Sequence, residues 1–138
     1  MIKSYYSCLD AKLTSPQSEQ HFVCQSKAKK ENGEIVFYGL EEYRVFKSQP
    51  FIYEKLISTP NLDGVIFFTI DQFCYSDTFN ISLICKIIKK KLEIHFARED
   101  LSFTNLISLK KSLPLIYSYF HSFKNNRQQN AKIFLDNI

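Results

Sequence analysis

Four clusters of polar residues in this chain each follow a short apolar run. Ser7, Cys8, Asp10 and Lys12 follow the first run; Glu41, Glu42, Tyr43, Arg44, Lys47 and Gln49 follow the second. Asp71, Gln72, Cys74, Tyr75 and Asp77 follow the third, and Arg98, Glu99 and Asp100 the fourth. A serine or cysteine after a strand is a candidate nucleophile, and Cys8 has Lys12 nearby to lower its thiol pKa. Ser7, Cys8, Asp71 and His95 are therefore the catalytic candidates. His95 sits inside an apolar run, LEIHFA, where it is either a hydrogen-bonded structural histidine or a base. The carboxylate pairs Glu41–Glu42 and Glu99–Asp100 suit either solvated loops or acid/base work. Asp10, Arg44, Lys47, Gln49, Gln72, Tyr75, Arg98 and Glu99 form a ligand-binding set. Charged and amide groups hydrogen-bond phosphates and hydroxyls, and a tyrosine ring stacks on a sugar face.

Several kinds of chemistry are excluded by what these clusters lack. The chain has only three glycines, each isolated, so it has neither a dinucleotide fingerprint nor a phosphate loop. It has no GxSxG elbow and no HExxH pair. Cys8, Cys24, Cys74 and Cys85 show no metal-ligand spacing. No cofactor and no metal are expected. A net charge of +4 is mildly basic, and the lysines fall in short runs at expected helix ends, where the dipole favours cations. This disfavours nucleic acid as a partner. The amino-terminal segment has no apolar core of a signal peptide, and no apolar run is long enough for a membrane span. The expectation is a cytoplasmic protein with reduced thiols.

The elements that must position these residues alternate. A strand is expected over Ile2–Ser7, then a polar loop over Cys8–Pro16. Ser15 caps a helix with Pro16 in its first turn, running to about Lys30 and ended by Asn32-Gly33. A second strand covers Glu34–Tyr38 and is closed by Gly39; a charged loop, Leu40–Gln49, leads to a helix over Phe51–Ser58. Gly64–Ile70 is a continuous apolar run, as for a strand buried on both faces. A loop, Asp71–Asp77, precedes a helix capped by Asp77 or Thr78 and reaching about Lys91, with Ile81, Ile84, Cys85 and Ile88 on one face. Leu92–Ala97 is the fourth strand. Thr104 caps a helix through Leu113; Ile116, Tyr119, Phe120 and Phe123 mark another; a final short helix follows the polar break Asn125–Asn130. The pattern predicts an α/β fold: a three-layer, mostly parallel sheet of four to five strands, with helices on both faces and C-terminal helices. One domain is expected over residues 1–138, with a βα core over 1–103 and a helical segment over 104–138.

The order and spacing of SYYSCLD, the helix from Pro16, EIVFYGLEEY, SQPFIYEKLIS, DGVIFFTIDQFCYS and LEIHFAREDLSF resemble the catalytic domain of serine recombinases. The resemblance implies a resolvase-like fold, but not the activity. Positions that carry the recombinase arginines fall near Gln49, Gln72 and Tyr75, and near Tyr5 or Tyr6, with Ser7 or Cys8 at the nucleophile. Each missing electrostatic contact to the transition state costs about 2.7–4 kcal/mol. A closer resemblance, over most of the chain, is to the sporadic carbohydrate cluster proteins encoded among bacterial surface-polysaccharide genes. It is carried by Tyr5–Ser7, Pro16-Gln17, Leu62–Phe68 with Gln72 following, and Ile94–Ala97 with Glu99 following. It implies a place in lipopolysaccharide O-antigen or capsule biosynthesis and a sugar or nucleotide-sugar ligand. It leaves open a catalytic role, a non-catalytic role docked on a biosynthetic enzyme through the aromatic C-terminal helices, and a homodimer; the recombinase resemblance adds a further alternative, a nucleic-acid-binding resolvase relative.

Overall fold

The computed structural model describes residues 2–10, 15–41, 51–75, 78–119 and 121. In chain order the elements are β1 (Lys3–Asp10), α1 (Gln17–Lys30), β2 (Gly33–Glu41), α2 (Phe51–Ser58) and β3 (Gly64–Phe67). A single 3-10 turn (Ile70–Phe73) follows, then β4 (Cys74–Tyr75), β5 (Thr78–Phe79), α3 (Ile81–Lys89), β6 (Glu93–Phe96) and β7 (Leu101–Phe103). A fourth helix, α4, covers 106–119. The main sheet has five strands in the order β2-β1-β3-β6-β7. The first four are parallel, and β7 returns antiparallel to β6. β4 and β5 form a separate antiparallel pair. The fold is thus α/β with a mixed, mostly parallel sheet. No described helix is long and apolar enough to cross a membrane.

Strand parity sorts the core. Because successive side chains point to opposite faces, Tyr5, Leu9, Ile66, Phe68 and Ala97 pack on one side with Cys24 and Ala28 of α1. Tyr6, Cys8, Val65, Phe67, Ile94, Phe96 and Phe103 pack on the other, against Ile52 and Leu56 of α2 and Leu83, Ile84, Ile87 and Ile88 of α3. Leu109 and Ile116 of α4 join that second cluster. Its centre is aromatic: Phe73 meets Phe67 and Phe96 edge-on, with ring centroids 4.7 and 5.3 Å apart.

Several boundaries differ from the sequence expectation. Cys8, Leu9 and Asp10 are strand, not loop, because β1 keeps pairing with β2 as far as Asp10↔Glu41. Gly39 does not close β2. It lies within the strand because the Tyr6 ring packs where a Cβ would stand, 2.6 Å from its nearest ring carbon. β3 ends at Phe67 rather than Ile70, since Thr69 caps the 3-10 turn. The expected Asp71–Asp77 loop is that turn followed by the β4–β5 pair. Pro16, not Ser15, occupies the cap position of α1, with no side-chain cap bond. Asn80 caps α3: its Oδ1 accepts from Leu83 N at 3.1 Å, and the helix stops at Lys89. Asn105, not Thr104, caps α4, accepting from Ser108 N at 2.8 Å. That helix runs through Pro114, where a break was expected. The expectation also omitted β7, placing helix after Asp100. Asp77, most of the 40–49 loop, Phe120, Phe123 and the final helix lie outside the described residues.

Gly64 opens β3 against β6. A Cβ there would stand 2.5 Å from the carbonyl oxygen of Glu93 and 2.7 Å from its Cβ. Gly64→Ala should lower unfolding free energy by about 1–3 kcal/mol through overpacking, read as a lower urea midpoint at unchanged m-value.

Candidate functional site

In the order β2-β1-β3-β6, the chain reverses direction across the sheet between β1 and β3. In doubly wound sheets this switch is where ligands bind, beyond the carboxyl ends of the strands. Those ends here carry Asp10 on β1, Thr69–Gln72 after β3, and Arg98 and Glu99 after β6.

β1 outruns β3 at this end: β3 pairs with it only as far as Cys8↔Phe67. Two glutamine amides take over where β3 leaves. Gln20 of α1 accepts from Asp10 N and donates from Nε2 to Asp10 O, both at 3.1 Å, as a neighbouring strand would. The same Nε2 reaches Ser15 O at 2.9 Å. Gln72 donates to Cys8 O at 3.2 Å and accepts from Thr69 N at 3.0 Å. Both side chains are fully buried. Glu99 completes the clasp. It accepts from Thr69 Oγ1 at 2.7 Å and from Ile70 N at 2.9 Å, with Arg98 Nε donating to it at 3.1 Å. The Arg98 guanidinium also lies over the Phe68 ring, 5.6 Å from its centroid.

This end therefore gathers Asp10, Asp71, Gln72, Arg98 and Glu99 of the sequence candidates. Arg98 is exposed, while Asp10 and Gln72 are buried and the Glu99 side chain is 4% exposed. Cys8 is fully buried in β1, with its thiol directed toward the Leu9 carbonyl at 3.9 Å. Its expected place in a polar loop beside Lys12 is corrected accordingly. Ser7 is fully buried beside Cys24 of α1. Burial pushes the Cys24 thiol up to about 12, against the Ser7 hydrogen bond, which works to lower it. Arg44, Lys47 and Gln49 lie outside the described residues, and Tyr75 is described only through its backbone pairing with Thr78. Among the described residues, no cluster of His, Cys, Asp and Glu could hold a metal ion.

His95 is not at this end but in a second polar cluster beneath α1, which sequence reasoning did not find. Its Nε2 lies 2.9 Å from Glu93 Oε1 and its Nδ1 2.9 Å from Ser102 Oγ. Tyr5 OH and Lys3 Nζ donate to Glu93, each at 2.8 Å. Lys27 donates to Glu31 at 2.8 Å, Asp100 at 2.7 Å and Ser102 at 2.8 Å, with its side chain only 3% exposed. Lys30 also pairs with Asp100. The sequence signal lay in alternation: Glu93, His95 and Ser102 occupy the α1-facing parity of β6 and β7, where apolar residues were otherwise due.

Burial pushes the His95 pKa below its ordinary 6.5, with Glu93 opposing. Burial also works against the Glu93 carboxylate, yet Lys3, His95 and Tyr5 hold it below 4.5. Lys27 does the same for Glu31. Lys27 and Lys30 hold Asp100 near 2.

No protein-family model matches this chain, and no curated protein matches it at a significant level. The geometry itself supplies two expectations. Gln20→Leu removes the amide that accepts from Asp10 N and donates to Asp10 O, each a buried bond whose loss costs about 1–3 kcal/mol; denaturant unfolding should show a loss of about 2 kcal/mol or more. The second concerns acid. His95 has its folded pKa depressed, so the unfolded chain takes up its proton first and stability falls as pH drops below 6.5. Glu31 and Glu93, also depressed, extend the loss as pH falls below 4.5. The melting temperature should fall in two stages, one as pH drops below 6.5 and one as it drops below 4.5. His95→Gln should flatten the upper stage only; an unchanged slope between pH 6.5 and 5 would refute the assignment.

Proposed function

We propose that this chain binds a sugar or sugar-phosphate intermediate of bacterial surface-carbohydrate biosynthesis at the β1/β3 switch, on a resolvase-like three-layer fold that has lost recombinase chemistry. The observation that carries the reading is the meeting of Asp10, Gln72, Arg98 and Glu99 around the carboxyl ends of β1, β3 and β6. Arg98 is the exposed member, able to donate to a phosphate or hydroxyl while Glu99 and the Phe68 ring fix its direction. Asp10, Asp71 and Glu99 bring three carboxylates to an end of the sheet that carries one guanidinium among the described residues. Such a balance favours the hydroxyl-rich face of a ligand, with any phosphate left to Arg98.

The resemblance to sporadic carbohydrate cluster proteins supports the same place. Two residues that carry it, Gln72 and Glu99, clasp one turn: Gln72 accepts from Thr69 N, and Glu99 from Thr69 Oγ1. The recombinase nucleophile positions support the loss of that chemistry. Ser7 and Cys8 are both fully buried, where a DNA phosphodiester has no approach. The lysine run at the end of α1 also speaks against nucleic acid, since Lys27 and Lys30 are engaged by Glu31 and Asp100. A second reading, docking on a biosynthetic enzyme, is favoured by α4, where Leu106, Ile107, Leu115 and Tyr117 are exposed.

The test is a thermal-shift screen against nucleotide-sugars, sugar phosphates and a short DNA duplex. A ligand at 100 times its dissociation constant adds about 2.7 kcal/mol, a shift of several degrees. Sugar phosphates should stabilise the protein, and Arg98→Ala should weaken that binding at least tenfold. A shift with DNA alone overturns the proposal. No shift with any sugar ligand transfers it to the docking reading, which an α4 variant, Ile107→Lys, tests by loss of the captured enzyme.

A further inference from the structure

Positive charge is handled differently on the two faces of the sheet. On the α1 face Lys3, Lys27 and Lys30 are paired with Glu93, Glu31 and Asp100. On the other face α3, the turn that follows it and α4 carry Lys86, Lys89, Lys90, Lys91, Lys110 and Lys111, all exposed. Among the described residues, no ion pair engages any of these six. The sequence supplies the reason: it has no Asp or Glu from Thr78 to Leu92, nor from Leu101 to Leu135. Asp63, just before β3, and Glu93, which opens β6, are engaged by β1. Asp63 accepts from Ser4 N at 2.8 Å, and Glu93 accepts from Lys3 and Tyr5.

Strand register brings the six lysines to one end of that layer. α3 and its turn finish just before β6, and α4 starts just after β7. Ile94 of β6 pairs with Phe103 of antiparallel β7, so α3 ends at the end of the sheet where α4 begins. At the opposite end Phe79, ahead of α3, meets Tyr117, late in α4, with ring centroids 6.1 Å apart. The helix dipole accounts for Lys86 and Lys89 in the last turn of α3. It does not account for Lys110 and Lys111, which lie in the amino-terminal half of α4, nearer its positive end. The outer side of α4 is also not the polar stripe of an ordinary surface helix. Leu109 and Ile116 are buried against the sheet, while Ile107, 67% exposed, and Leu115, 46% exposed, flank Lys110 and Lys111 at spacings of three to five residues.

We propose that this face, the carboxyl end of α3 together with the outer stripe of α4, binds the surface of an anionic lipid bilayer. Charge complementarity selects the occupant. Lysines without carboxylate neighbours attract anionic head groups, and their apolar stems can lie along the boundary region while the ammonium groups stay in water. Ile107 and Leu115, set beside them, enter the boundary between head groups and acyl chains. A polyanion such as duplex DNA would meet the lysines and give those two side chains no apolar partner. The contact is peripheral, since neither helix is long and apolar enough to cross a membrane. It uses the surface on which the docking reading relies and does not involve the β1/β3 switch. Purified protein and pure lipid therefore test it apart from both.

The experiment is co-sedimentation of the full chain with lipid vesicles. Vesicles of phosphatidylcholine with about 30% phosphatidylglycerol should carry the protein down; phosphatidylcholine alone should not. Raising salt to about 0.5 M should release most of it, because screening weakens the attraction to head groups. Lys111→Glu should weaken the partition about tenfold, and Lys110→Glu serves if that variant does not fold. Lys29→Glu makes the same charge change at an exposed position on α1 and should leave the partition unchanged. Ile107→Ser keeps the charge and should weaken it severalfold. Failure to sediment with the anionic vesicles, equal sedimentation with neutral ones, or an equal loss in Lys29→Glu overturns the proposal. Full retention by Ile107→Ser overturns the lipid assignment in favour of a polyanion.

Discussion

A buried strand must satisfy its backbone beyond the point where its neighbour stops, and in this fold that requirement falls on β1. It is flanked by β2 and β3, yet β3 pairs with it only to Cys8↔Phe67 while β2 continues to Asp10↔Glu41. An unpaired buried N–H or C=O costs about as much as a whole domain can spare for one defect. Gln20 and Gln72 resolve this by presenting side-chain amides in place of a strand. Their positions then fix much else. Gln20 ties the first turn of α1 to the end of β1. Gln72 forces the chain after β3 into a 3-10 turn, which Thr69 caps and Glu99 clasps from the end of β6. The site is therefore held by the same bonds that terminate the strands, and its geometry comes from the architecture of the sheet rather than from a mobile loop.

That dependence explains what was legible in the sequence. Strand and helix existence followed from apolar runs and helical periodicity: Gly64–Phe67 within GVIFFTI, α2 over Phe51–Ser58, and the Ile81–Ile88 stripe of α3 all lie where the pattern put them. Boundaries failed wherever a polar side chain is buried. Asp10 looks like a loop residue, but it is 1% exposed at the end of a strand. Thr69 and Gln72 interrupt an apolar run with a capping box that hydrophobicity alone does not reveal. β7 was missed because LSF is only three residues long and its middle residue faces the polar cluster under α1. Of the ligand-binding candidates, Gln72, Arg98 and Glu99 do come together near Asp10. Yet Gln72 and Glu99 spend their hydrogen-bonding capacity on the backbone, and a sequence cannot tell an amide that binds a ligand from one that ends a strand.

The two faces of the sheet divide the polar work. One is packed by aromatic and branched residues against α2, α3 and α4, with Phe67, Phe73 and Phe96 in mutual contact. The α1 face instead mixes a small apolar cluster with the chain Lys3–Glu93–His95–Ser102–Lys27–Asp100. Buried charges of this kind contribute little net stability against an apolar replacement, but removing one partner is costly. Their effect is positional: Lys27 joins α1 to both β7 and the turn before it, and Glu93 joins β6 to β1. The register Tyr5↔Gly64↔Glu93 is thereby fixed by polar as well as apolar contacts.

The sheet's two edges follow from the same economy. β7 is three residues long, with Ser102 hydrogen-bonded to Lys27 and Asp100 engaged by Lys27 and Lys30 just before it, so charge guards that edge. Among the described residues, the charged network around Lys27 does not reach β2. Its side-chain tie to α1, Gln25 to Tyr38, is exposed, and its exposed apolar residues begin at Val36, where the register shifts, and continue with Phe37, Tyr38 and Leu40. The exposed row from Val36 to Leu40 is thus the apolar counterpart of the polar cluster around Lys27: charge holds β7 to α1, whereas β2 is held by its full-length pairing with β1.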